Sequence, residues 1–404
     1  MTTVTATTQD PTKGTGFYPS FHALWHLKAL CVIQGGPAKF SSKAWNQASG
    51  AGDESAVRIV IMDTTVDWEH PNLQGVIDTG KMRDFSGMNA GEAVDPDTGP
   101  TIYGAHGTAV AGLIGARPAT VKLQLPERAG LLNEGKTVQK DTALPYAGIN
   151  PFCTIIPISL TAAPDPDMVL AALRYIGQLD PAPQIIVIAA AWDDTSRALQ
   201  DKQSFDETEG KWSQVNAVLE TICENSLVLC AAGNAGAGAM AYPAILAGRF
   251  PGLIAVTACD MDANPLTYAY RPRPDQSNII ATLSTQSPRY DSERVFLDPW
   301  AEVDSYLKTP EGTTDFPKQR IISLDPRGRR GYNPSIYRYD PPGDGPHLEI
   351  ASLYAEFSGT SAATAIAAGL ISLAMQNEGK SKIDPAKLPG PGTLFDLDAA
   401  SQLL

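Results

Sequence analysis

The chain has 404 residues, of which 43% are hydrophobic and 19% charged, ordinary globular values that exclude a fibre or a wholly disordered chain. A formal net charge of −13 repels phosphate backbones, so no nucleic-acid partner is expected. The sequence is not expected to contain the roughly 20-residue apolar run that a membrane helix needs, and no membrane partner is expected.

In chain order, residues 1–50 read as an N-terminal extension, polar and partly flexible, with FHALWHLKAL (21–30) as a short amphipathic helix within it. The opening MTTVTATTQDPTKG has neither a basic start nor an apolar centre, so it does not read as a secretion signal. AVRIVIMD (56–63) is a nearly continuous β-branched run, as a strand buried on both faces requires. GTAVAGLIGAR (107–117) predicts a small-residue helix. FCTIIPISL (152–160), PQIIVIAAAW (183–192), SLVLCAAGN (226–234) and PGLIAVTACD (251–260) predict further strands. MVLAALRYIGQL (168–179) and WSQVNAVLETICEN (212–225) supply helices between them.

Strands alternating with helices predict an α/β fold, with a mainly parallel central sheet between two helical layers. The main domain is expected over 51–385, with a loop-rich insertion at 262–350 and a C-terminal tail at 386–404. The five cysteines are scattered and form no CxxC pair, and several lie in apolar runs. They read as reduced core residues, which points to a cytoplasmic setting.

Function in such sheets gathers at the carboxyl ends of the strands. Asp63 ends one predicted strand, Asn234 ends another, His106 precedes a helix, and Ser361 lies in FSGTSAATAIAAG (357–369) at the start of a further one. Each has a structural reading as well. Asp63 can bond its own turn, His106 can be a satisfied structural histidine, Asn234 can take a left-handed turn, and Ser361 can cap a helix. Together they hold what acyl transfer requires. A serine hydroxyl is a poor nucleophile until a base takes its proton, the base needs an orienting carboxylate, and the oxyanion needs donors.

The segments VIMDTTVDWEHPNL, HGTAVAG, AAGN and SGTSAATAIAAG resemble those of the subtilisin-like serine proteases (subtilases, peptidase family S8), and so does the order Asp, His, Ser. The resemblance covers roughly residues 55–378. It implies Ser361 as nucleophile, His106 as general base and then acid, Asp63 as its orienter, and Asn234 with the Ser361 N–H as oxyanion donors. It implies a polypeptide substrate, an α/β fold of the subtilisin type, and no required cofactor. Ala190, Ala191 and Trp192 stand where the family offers Ser-Leu-Gly to an extended substrate, and Ala231, Ala232 and Gly233 would wall the pocket before the scissile bond.

The chain departs from the family at several places. It has Thr65 for Gly in Asp-Thr-Gly, Ala365 where a Pro is usual, and Trp192 for Gly. Trp192 either narrows a subsite, restricting specificity, or is a core aromatic at a sheet edge. No inhibitory leader is recognised before the Asp63 strand, so restraint by a regulatory protein partner, by the long 262–350 insertion or by narrow specificity is expected instead. Arg327, Arg329, Arg330 and Arg338 concentrate positive charge in 325–346, as a solvated loop, a nicking site or a docking patch. DPDTGP (95–100) offers oxygens to a structural Ca²⁺ ion or is an ordinary Asp-rich turn. Two rivals to an endopeptidase remain open: a peptide ligase or macrocyclase using the same residues, and a non-catalytic binding protein of the same fold.

Overall fold

The structure is a computed structural model that describes residues 24–86, 103–126, 137–192, 212–286, 321–335 and 346–404, with Gly210. Short interruptions fall at 37–38, 53–54, 145, 237, 239, 274–275, 329–330, 349 and 391. The Asp-rich segment 95–100 and residues Arg329, Arg330 and Arg338 lie outside the described residues.

Helix α1 (Trp25–Ala29), the hairpin β1 (Gln34–Gly36) and β2 (Lys39–Ser41), and α2 (Lys43–Gly50) come first. Ser42 caps α2 by accepting the Trp45 N–H. Trp25, Leu27, Leu30 and Trp45 are at most 1% exposed, and the Trp45 indole donates to Ile149 O at 2.8 Å. From Leu24 onward the expected polar extension is therefore part of the core. Two indoles and their aliphatic neighbours remove more apolar surface from water than the flanking Gly and Ser residues can offset.

The chain then lays down β3 (Arg58–Asp63), β4 (Arg83–Asp84), α3 (Tyr103–Gly115), the hairpin β5 (Ala119–Pro126) and β6 (Thr137–Leu144), and β7 (Thr154–Ser159). Next come α4 (Pro166–Ile176), β8 (Ile185–Ile188), α5 (Ser213–Cys223), β9 (Leu227–Ala231), β10 (Leu253–Cys259) and β11 (Ile279–Leu283). Last are β12 (Ile322–Leu324), β13 (Tyr354–Glu356), α6 (Gly359–Glu378) and α7 (Leu397–Gln402).

Seven strands pair in the order β11-β10-β9-β8-β3-β7-β4, all in parallel. The period of two along each strand divides the interior. Ile59 and Ile61 of β3 join the core packed by α3 and α6, while Val60 and Met62 join the core packed by α4 and α5. Strands buried on both faces have no polar face to alternate with, which is why they read as unbroken apolar runs.

Two expectations change. The stretch 262–350 contributes β11, an edge strand of the main sheet, and β12, half of an antiparallel ribbon with β13. The presumed tail 386–404 packs on the core: Phe395 and Leu403 are 0% exposed, and Leu394 bridges to Ala281. Both segments are too short and too interrupted by Pro and Asp for periodicity to reveal them. Helix α6 is long and apolar enough to cross a membrane by length and composition, contrary to the first reading, but all of its apolar stretch is buried inside this fold.

Candidate active site

Parallel pairing brings the carboxyl ends of β3, β8 and β9 to one edge of the sheet, and the N-terminus of α6 meets them there. Asp63 is the last residue of β3 and is 3% exposed. His106 lies in the first turn of α3, and its Nδ1 stands 2.7 Å from Asp63 Oδ1. A carboxylate oxygen accepts, so Nδ1 carries the proton in this contact and Nε2 is left as the basic nitrogen. The same Oδ1 accepts from the Thr64 N–H at 2.7 Å and from the Thr64 hydroxyl at 3.1 Å. Asp63 Oδ2 is buried and accepts no hydrogen bond.

Close approach of α3 to the Asp63 turn depends on Gly107. A Cβ there would collide with Thr64 O, and the Gly107 N–H instead donates to Thr64 Oγ1 at 3.0 Å. The other side of the imidazole rests edge-on against Phe357, with ring centroids 5.2 Å apart.

Ser361 is the third residue of α6 and is 5% exposed. Its N–H is one of the four that a helix start leaves without an intrahelical partner. Its hydroxyl donates to Ala189 O, just beyond β8, at 2.7 Å. The cap of α6 comes from elsewhere in the chain. Ser358 makes no side-chain cap bond; Asn234 Oδ1 accepts the Thr360 N–H at 2.9 Å and the Thr360 hydroxyl at 3.1 Å. The Gly233 N–H in turn donates to Thr360 Oγ1 at 3.1 Å. With Oδ1 so occupied, the Asn234 amide presents Nδ2 as its donor. Gly359, at φ +82°, gives that amide room, since a Cβ there would sit 3.0 Å from Asn234 Nδ2.

The structure thus gathers Asp63 and His106 in direct contact, and Ser361 and Asn234 around the start of α6. Ala231 and Ala232 are buried at the end of β9, with Gly233 half-buried beside them; Ala190 is half-buried and Ala191 exposed. Trp192 occupies the core position of its two readings. It is 4% exposed, stacks on Trp212 at 6.0 Å, meets Tyr242 edge-on, and donates its N–H to Tyr242 O at 3.0 Å. Thr64, Phe357 and the relay role of Thr360 were not found from sequence. The signal available was position alone: a Thr directly after the Asp, and another directly before the Ser.

Arg327 departs from the solvated reading. It forks onto Asp67 (Nε–Oδ2 2.9 Å, Nη2–Oδ1 3.0 Å), reaches Glu69 at 2.8 Å, and gives its N–H to Asp67 Oδ2 at 2.9 Å. Burial alone would raise the Asp67 carboxyl, but the Arg327 charge and hydrogen bonds outweigh it and hold the group below the usual carboxylate range. Burial pushes His70 down to about 4, so its ring is neutral near pH 7. Its Nδ1 accepts the Asn72 N–H, and Nε2 donates to Leu353 O.

The sequence model described as the subtilase family matches residues 54–309, well over half of the chain. The chain belongs to the subtilase family. The matched span contains Asp63, His106 and Asn234; Ser361 lies beyond it. Fervidolysin from Fervidobacterium pennivorans is 26% identical over 245 residues, 59% of this chain but 27% of that relative, so this subtilase spans about a quarter of its length. Among solved structures, the prenylagaramide maturation protease PagA is similar at 18% identity and TM-score 0.48, over 90% of this chain and 98% of that one. A point mutant of the PatA protease domain is similar at 17% and 0.49, over 85% and 93%. A cold adapted subtilisin-like serine proteinase is similar at 16% and 0.44, over 82% and 79%.

Proposed function

We propose that this subtilase is a serine endopeptidase in which Asp63, His106 and Ser361 form the catalytic triad. The observation that carries the reading is the 2.7 Å contact between His106 Nδ1 and Asp63 Oδ1, made beside a helix whose third residue is Ser361. With the Nδ1 proton held by Asp63, Nε2 is the atom that takes a proton. On substrate entry the Ser361 hydroxyl leaves Ala189 O, gives its proton to His106 Nε2 and adds to the scissile carbonyl carbon. The oxyanion is stabilised by Asn234 Nδ2 and the Ser361 N–H, aided by the positive end of α6. His106 returns the proton to the departing amine, and water then releases the acid by the same steps in reverse.

The family membership supports a polypeptide substrate. All five cysteines carry unpaired thiols, which supports a reducing, cytoplasmic compartment as part of the same proposal. Trp192, being in the core, lends no support to a narrowed subsite.

A fluorophosphonate probe tests the nucleophile. The native chain should label on Ser361 and a Ser361→Ala chain should not; equal labelling of both, or none of either between pH 6 and 9, overturns the reading. Product mass on a defined peptide then fixes the acceptor. Hydrolysis adds one water across the cut, whereas transfer to an internal amine leaves the mass unchanged and would make the protein a ligase.

A further inference from the structure

The geometry points to Arg327 as a positioning residue for His106, acting on the helix that carries the imidazole through its ion pair with the buried Asp67; this rests on the reading of His106 as the base. Arg327 sits beyond β12, 221 positions along the chain from His106, and touches none of the reacting groups. It acts through Asp67, four residues after Asp63 in the same loop.

The first route runs through α3. Arg327 holds both oxygens of Asp67 by its fork and its own N–H, and the Asp67 N–H donates to Thr108 Oγ1 at 2.9 Å. Thr108 is fully buried and lies two residues after His106 on α3. The loop that follows Asp63 is thereby pinned to the helix that carries His106, on the far side of the Thr64–Gly107 contact. Asp63 and His106 thus cannot drift apart without breaking a buried bond.

The second route runs through the rings. Two residues before Arg327, the Asp325 carboxyl oxygens accept the Tyr332 N–H at 2.9 Å and the Asn333 N–H at 2.7 Å. This places the Tyr332 ring in a stack on Phe357, 6.4 Å between centroids and 27° between planes. Phe357 is the ring against which His106 lies edge-on. Arg327 thus anchors the loop beside the Asp63 contact, while Asp325, two residues earlier, anchors the Tyr332–Phe357 stack. A guanidinium suits the task because its planar fork satisfies two carboxylate oxygens in one fixed orientation, which a lysine cannot do.

A purely structural salt bridge would be felt in stability alone, so the test reads the imidazole itself. In the full-length native chain, the His106 Nδ1 proton should give a far-downfield NMR resonance, assigned by its loss in His106→Gln. In Arg327→Ala that resonance is expected to broaden or move upfield, and kcat on a fluorogenic peptide to fall about 10- to 100-fold with KM nearly constant. Arg327→Lys keeps the charge without the fork and should recover part of the turnover and a sharper resonance. Should Arg327→Ala fail to fold, Arg327→Lys and Tyr332→Ala carry the same measurements. An unchanged resonance and unchanged kcat in a folded Arg327 variant, whatever its melting temperature, overturns the proposal. A native chain that shows the resonance but neither labels with fluorophosphonate nor cleaves peptide sinks the endopeptidase reading and leaves the clamp to be judged by the resonance alone.

Discussion

Two buried carboxylates sit four residues apart in this subtilase, and they are provisioned in opposite ways. Asp63 and Asp67 are each 3% exposed. Both oxygens of Asp67 are taken by Arg327, which supplies a full compensating charge. Among the described residues, Asp63 accepts from an imidazole and the two donors of Thr64, all on Oδ1, and Oδ2 has no hydrogen-bond partner. A saturated pair locks geometry, whereas a half-satisfied carboxylate keeps negative potential in reserve for a partner that becomes charged during reaction. On the proposed mechanism, Asp67 holds the site and Asp63 serves its chemistry.

The most direct way to break this contrast is to remove each charge in turn. Asp63→Asn should lower turnover by about 10⁴-fold, because an amide no longer fixes the imidazole tautomer. Its unfolding midpoint should hold or rise, since an under-satisfied buried charge has been removed. Asp67→Asn should do the reverse, costing about 3 kcal/mol of stability by leaving the Arg327 guanidinium with the partly exposed Glu69 as its one charged partner among the described residues, with a much smaller loss of turnover. Paired kinetics and denaturant titrations decide. The contrast fails if Asp67→Asn matches Asp63→Asn in turnover while leaving stability untouched.

Asn234 sharpens the same contrast at the other end of the site, because it has both duties in one side chain. Its Oδ1 caps α6 and its Nδ2 is the proposed oxyanion donor. Asn234→Asp keeps the cap and loses the donor, so turnover should drop by about 10²–10³-fold at nearly constant KM. Asn234→Ala loses both and should add about 1 kcal/mol of destabilisation from the missing cap. Equal stability of the two variants would show that the cap is not what holds Asn234 in place.

The elements that were legible in the sequence are those whose residues do one thing. β3, β7, β9 and β10 read as apolar runs because both faces of each are buried. Helices α4 and α5 read by their period, since each presents one face to the sheet and another to solvent. Asp63, His106, Asn234 and Ser361 could be singled out because they fall together at strand ends and helix starts, although each type is ordinary there, and family resemblance assigned their roles. What was not legible depends on contacts distant in sequence. Nothing in DPRGRRGY says that Arg327 meets Asp67, which lies 260 residues earlier. Trp192 sits beside the expected substrate segment in sequence, yet Trp212 and Tyr242 draw its ring into the core. Residues 24–50 carry their full share of apolar side chains, but the Gly, Ser and Pro between them break any long helical or strand period.

An effect on stability alone lies just behind Asp67, where His70 is buried neutral among Asp67, Arg327 and His347. Its folded pKa of about 4 lies below the ordinary 6.5, so the unfolded chain binds the proton first as pH falls. The stability that His70 contributes is therefore complete above pH 6.5 and lost progressively down to about 4. At full burial that difference is on the order of 3 kcal/mol. His70→Gln can keep one acceptor for the Asn72 N–H and one donor for Leu353 O without titrating. It should be less stable than the native chain at pH 7 but lose less on acidification, so the two stability curves converge toward pH 4. Parallel curves across that window would place the acid sensitivity elsewhere, and would leave the Asp67 cluster as a charge pair whose strength does not depend on the neutral ring packed behind it.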